Sequence, residues 1–213
     1  SEGKVRRRRA TRMSDSEIMT ILIMFHFGTF DNFKHYYLHF IKLHLKSDFP
    51  DAVSYNRFVE LESRAFFKLM FFLNLHSFGR CTGITFVDST MIPVCHNLRR
   101  YANKVFAGLA TDGKGTMGWC HGFKLHFICN DRGEIIMFCL TGANVDDRDP
   151  KVWSILGKRI YGKLFADRGY ISPSLFEALF ADGVHLVTGI RSNMKNKLIP
   201  LWDKIMLRKR YII

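Results

Sequence analysis

Apolar positions recur every three or four residues through the first third of the chain and every second residue beyond it, with the change near Gly83. In "SDSEIMTILIMFHFG", Ser14 and Glu17 stand at capping-box spacing, and Ile18, Ile21, Leu22 and Phe25 share one face. That pattern predicts a helix ended by Gly28. "DNFKHYYLHFIKLHL" repeats the rhythm with Phe33, Tyr36, Tyr37, Phe40, Ile41, His44 and Leu45, and Asp31 is the expected cap. A third helix is predicted from Ser54, with Phe58, Leu61, Ala65, Phe66, Leu69, Phe72 and Leu73 on its apolar side. Three helices before any strand predict a small α-helical N-terminal domain over 14–80, behind a basic tail at 1–13.

From 81 onward "ITFVDSTMIPV" reads as a strand, followed by a polar, glycine-bearing segment from Cys95 to Gly118 with no assigned element. "HGFKLHFICN" and "EIIMFCLTG" alternate around the turn "NDRG", which predicts a hairpin. Asp149 followed by Pro150 opens a helix, "YGKLFADRGY" gives a strand ending at Asp167, and Ser172-Pro173 opens another helix closed by Gly183. "VHLVTGI" is a further strand, and a last helix starts at Pro200. This order predicts an α/β unit over 81–213, a mixed sheet with crossover helices.

Composition narrows the partner. A hydrophobic fraction of 47% in 213 residues suffices for a core and a satellite domain. Lys and Arg exceed Asp and Glu by 32 to 19, a net charge of +13, so nucleic acid is the expected partner. The charge gathers in Arg6, Arg7, Arg8 and Arg9, suited to lie along phosphates or to be a solvated tail, and near the end in Lys195, Lys197, Lys209 and Arg210. No apolar run approaches the about 18 residues of a membrane span. Five cysteines without a C-x-x-C pair fit a reduced, cytoplasmic protein. Cys95-His96 and Cys120-His121 raise zinc, but adjacent residues lack the separated spacing of structural zinc ligands.

The candidate chemistry lies in two aspartates. Asp88 interrupts an apolar strand, where an unpaired carboxylate is expensive and calls for a hydrogen bond, a cation or a metal. Asp167 also belongs to a strand, and if the two strands are neighbours both carboxylates converge on one divalent cation. Asp146, Asp147 and Asp149 are explained by capping and solvation. Lys124 and His126 project from one hairpin face and Arg168 follows the second aspartate; each suits a DNA phosphate or a carboxylate partner. No G-x-S-x-G elbow, P-loop or H-E-x-x-H motif offers another chemistry.

"TFVDST", "HGFKLHFICNDRGEI", "FADRGY" and "RKRYII" together resemble the DDE transposases of bacterial insertion sequences. The resemblance implies a ribonuclease H-like catalytic domain, Asp88 and Asp167 as first and second catalytic acids, and Mg²⁺ or Mn²⁺ as cofactor, as two ions about 4 Å apart. It implies cleavage and transfer of DNA strands at transposon ends, double-stranded DNA ends and targets as partners, a homodimer, and a bacterial, nucleoid-associated location. The family's third acid, a glutamate four positions after an arginine matched by Arg210, falls at position 214, just past Ile213. The 213-residue chain alone is therefore expected to be inactive. Leu207 departs from the tyrosine of related families. The alternatives are a catalytically incomplete DNA-binding remnant and a metal-dependent nuclease without strand transfer.

Overall fold

The computed structural model of the protein describes residues 12–115, 118–191, 194–195 and 198–210. It divides into two compact units, Ser1–Ser77 and Phe78–Ile213.

The first unit is helical. Helix α1, Asp15–Phe27, starts from a complete capping box: Glu17 N donates to Ser14 Oγ at 3.2 Å and Ser14 N to Glu17 Oε2 at 2.7 Å. Helix α2 begins as a single turn, Phe33–His35, and runs on as a π-helix, Tyr36–His44. Its cap is Asn32, whose side chain accepts from His35 N at 3.1 Å, rather than the expected Asp31. The wider π turn, seen in Leu45 N donating to Phe40 O, brings Tyr36, Tyr37 and Ile41 all into the core. Helix α3, Tyr55–Phe72, is capped by Ser54 and contributes Phe58, Leu61 and Ala65. Both core tyrosines satisfy their hydroxyls on backbone, Tyr36 on Ile21 O and Tyr37 on Val53 O. Burial pushes each phenol up to about 12.

The second unit is a six-stranded mixed sheet. Its strands are β1, Ile84–Cys95; β2, Thr111–Gly115; β3, Gly118–Asn130; β4, Ile135–Gly142; β5, Gly162–Ala166; and β6, Val184–Thr188. The order is β2-β3-β1-β5-β6, with β4 also on β3. One edge of the long β3 pairs with β1, while the other is shared by β2 along Gly118–Gly122 and β4 along Phe123–Cys129. The first four strands pair antiparallel, whereas β5 and β6 run parallel to β1 through the crossover helices α4, Pro150–Leu156, and α5, Pro173–Ala181. This is the ribonuclease H-like mixed sheet with flanking helices that the resemblance implies.

Alternation along the strands sorts residues onto two faces. Val87, Ile128, Leu164 and Leu186 pack against Val152, Trp153, Leu156, Leu175 and Leu179 of α4 and α5. On the other face Phe86, Cys129 and Phe165 form a smaller cluster that meets Met206 and Leu207 of helix α6, Leu201–Lys209. α6 is also tied down by Lys163 of β5, whose Nζ lies 2.7 Å from the buried Asp203 carboxylate.

Candidate active site

The register between β1 and β5 brings the two aspartates together. The parallel pairs Ile84↔Lys163, Thr85↔Leu164 and Phe86↔Phe165, continued two residues further, set Asp88 opposite Asp167. Asp167 lies just past the end of β5 with φ −75 and ψ 177, so the extended backbone persists to it. Neighbouring strands stand about 4.8 Å apart, and by alternation both carboxylates belong to the Phe86 and Phe165 face. Both line one cavity of about 580 Å³ beyond the carboxyl ends of these strands, with Ser89, Lys114, Trp119, Lys124, Asp147 and Tyr170 among its walls.

The setting of Asp88 differs from the buried one expected. Its side chain is 51% exposed, because β1 leaves the core after Val87. It accepts from Ser89 N at 2.9 Å and lies 3.7 Å from the Arg210 guanidinium, which is itself only 10% exposed. Arg210 is thus turned onto the first aspartate instead of outward. Asp167 accepts from Gly169 N at 2.7 Å and so caps the 3₁₀ turn Arg168–Tyr170.

Lys124 and His126 do share a face, but both point inward. Lys124 Nζ donates to Val145 O at 2.8 Å and lies 3.4 Å from Asp147, while the buried His126 holds Thr141 through Nε2 and has Nδ1 3.3 Å from Asp147. Asp147 is therefore a site residue, not the solvated aspartate its sequence neighbourhood suggests. Burial alone would raise its pKa, but the adjacent His126 and Ser89 side chains and the charge of Lys124 outweigh this and hold it below the ordinary value. Its neighbours behave as expected: Asp146 is clamped by Arg148, whose hydrogen bond is the main cause of its lowered pKa, and Asp149 caps α4 by accepting from Lys151 N. The only sequence signal for Asp147 is its position two residues before the cap, facing a hairpin that carries a Lys and a His.

Two buried polar atoms beside this network, His126 Nδ1 and the Tyr170 hydroxyl, fall short of hydrogen-bond geometry with any described residue. Burial first, then the charges of Asp147, Asp88 and Asp167, drives the Tyr170 pKa upward, so that phenol remains a donor. Leaving such a group unsatisfied costs about 1–3 kcal/mol.

Of the other basic candidates, Arg168, Lys195 and Lys209 are exposed. Arg6, Arg7, Arg8, Arg9 and Lys197 lie outside the described residues. The five cysteines are free, and among the described residues no three His, Cys, Asp or Glu side chains form a group able to hold a metal ion, zinc included. Two carboxylates facing a roomy polar cavity suit a hard divalent cation whose remaining ligands are water and phosphate oxygens.

No curated protein matches the chain. A solved piggyBac transposase, in a synaptic complex with hairpin DNA, is similar with a TM-score of 0.48 and 11% identity over 91% of this chain and 46% of that one. This chain thus spans under half the length of that transposase. The family profile for the transposase DDE domain matches residues 78–213, the whole of the mixed-sheet unit and well over half of the protein. The chain belongs to the DDE-domain transposases.

Proposed function

We propose that the mixed-sheet unit cleaves DNA strands at insertion-sequence ends and joins them to target DNA, using Mg²⁺ or Mn²⁺ held by Asp88 and Asp167. The observation that carries this reading is the β1–β5 register, which aligns two carboxylates at adjacent strand ends above one cavity. A divalent cation there supplies Lewis-acid stabilisation of charge on the phosphoryl oxygens and makes a bound water or 3′-hydroxyl more acidic. Asp88 and Asp167 supply the oxygen ligands, on strand ends whose backbones are fixed by the sheet. Arg210 offsets their mutual repulsion before substrate arrives. Since phosphoryl transfer depends on positioning and charge stabilisation, no side-chain nucleophile is needed. The exposed Arg168, Lys195 and Lys209, with the basic residues near the N-terminus, bind DNA phosphates, and two copies act together on paired ends in the bacterial cytoplasm.

Asp88→Asn and Asp167→Asn keep side-chain shape and lose charge. Each should abolish Mn²⁺ binding while the circular dichroism spectrum stays that of the wild type. Undiminished Mn²⁺ uptake by either variant would refute the assignment.

One observation favours a second reading, a DNA-binding remnant without catalysis: among the described residues no third metal-ligating side chain joins the pair. Joining of a supplied 3′-hydroxyl end to target DNA separates the readings. The remnant joins nothing, and a simple nuclease nicks without joining.

A further inference from the structure

The wall of the cavity behind the two aspartates is more elaborate than a core needs. Asp147 stands on the segment between β4 and α4, and its backbone is fixed from two sides: Trp153 Nε1 donates to Asp147 O and Lys124 Nζ to Val145 O, both at 2.8 Å. Its carboxylate has Lys124 at 3.4 Å and His126 at 3.3 Å. The β1–β3 pairing sets Ser89 opposite His126, and Ser89 lines the same cavity as Asp147. The buried Tyr170 lines that cavity as well.

The two residues gathered here are neighbours of the acids. Ser89 directly follows Asp88, and its backbone N–H is the donor to the Asp88 carboxylate. Tyr170 ends the 3₁₀ turn that Asp167 caps. Asp147 thus reaches both strand ends from the opposite face of the sheet, and it lines the same cavity as the acids.

We propose that Asp147 is a positioning residue of the site: placed beside Lys124 and His126, it takes up the Ser89 and Tyr170 hydroxyls when a divalent cation fills the cavity, and so fixes the two backbone segments that aim Asp88 and Asp167 at that cation. This rests on the proposed function. Its role is to fix the orientation of the ligands rather than to bind metal, and it joins no three-member ligand group with them. Hydrogen-bond partners behind metal ligands matter in this way because a carboxylate free to rotate loses part of its affinity on being ordered. The two buried atoms lacking hydrogen bonds, His126 Nδ1 and the Tyr170 hydroxyl, border this network and leave it room to tighten when the cavity fills.

The test is a Mn²⁺ titration of the 213-residue chain, followed by the electron paramagnetic resonance signal of free Mn²⁺, with thermal unfolding run in parallel. Asp147→Asn should weaken Mn²⁺ binding by roughly tenfold to a hundredfold, the usual effect of losing an outer-shell partner. Because that change also leaves Lys124 and His126 without their carboxylate, Ser89→Ala and Tyr170→Phe are measured beside it. Each removes one hydroxyl and no charge, and each should weaken Mn²⁺ binding several-fold, about half of the Asp147→Asn effect on a logarithmic scale. Tyr170→Phe should do so with no fall in melting temperature, since its hydroxyl makes no hydrogen bond in the folded protein. Wild-type Mn²⁺ affinity in both hydroxyl variants, beside complete loss in Asp88→Asn, overturns this inference and leaves the proposed function standing. A wild-type protein that takes up no Mn²⁺ overturns both.

Discussion

Asp88 meets two partners that its strand alone does not reveal, a backbone N–H one residue on and the Arg210 guanidinium from the last helix. Carboxylates at strand ends that already carry an arginine are poised for a stronger cation, because a divalent ion outcompetes a single guanidinium 3.7 Å away. Arg210→Ala should therefore leave Mn²⁺ binding intact or tighten it, as read in the same titration, while removing a long ion pair whose carboxylate is half exposed and which is worth about 1 kcal/mol. Tyr36 and Tyr37 give a prediction for the helical unit. Their phenols rise to about 12 in the folded protein against about 10 in an unfolded chain. The neutral form is favoured by folding, so this contribution is complete below pH ~10 and is lost as pH climbs toward ~12. Tyrosinate absorbance should appear together with loss of helical circular dichroism across that window. Titration of these phenols below pH ~10 with the helices intact would contradict their burial.

Most elements could be read from residues that act locally. Ser14 with Glu17, Ser54, Asp149-Pro150 and Ser172-Pro173 each start the helix they announce, because a cap needs only its own first turn. The misplaced cap at Asp31 shows the limit, since Asn32 satisfies the same chemistry one residue later. β2 escaped altogether. "TDGKG" has a single β-branched residue, Thr111, and no apolar alternation, and it becomes a strand because the free edge of β3 offers pairing along Gly118–Gly122. Gly113 permits this: a Cβ there would lie 2.0 Å from Ala143 O. Gly113→Ala should destabilise the second unit by about 1–3 kcal/mol or more, read as a lower denaturation midpoint, whereas Gly157→Ala, which meets nothing, should not. Asp147 was missed for a related reason. Its partners, Lys124, His126 and Ser89, come from two strands remote in sequence, and their convergence depends on strand register, which the sequence pattern leaves open.

For the protein as a whole, the proposed function divides the labour: excess positive charge binds DNA and the shared acidic cavity acts on it. With 32 basic against 19 acidic residues, affinity for duplex DNA should come mainly from phosphate contacts. It should fall about a thousandfold between roughly 50 and 200 mM salt if about six phosphates are neutralised, and a salt-independent isotherm would refute this. No helix among the described residues is long and apolar enough to cross a membrane. The paired aspartates were evident from the sequence as candidates, but their common cavity and the network behind them required the fold. The account depends most on Asp88 and Asp167 sharing one divalent cation, and a Mn²⁺ titration of wild type, Asp88→Asn and Asp167→Asn tests that directly. Binding in the wild type and none in either variant, at unchanged melting temperature, is the predicted result; one variant binding Mn²⁺ as tightly as the wild type would contradict it.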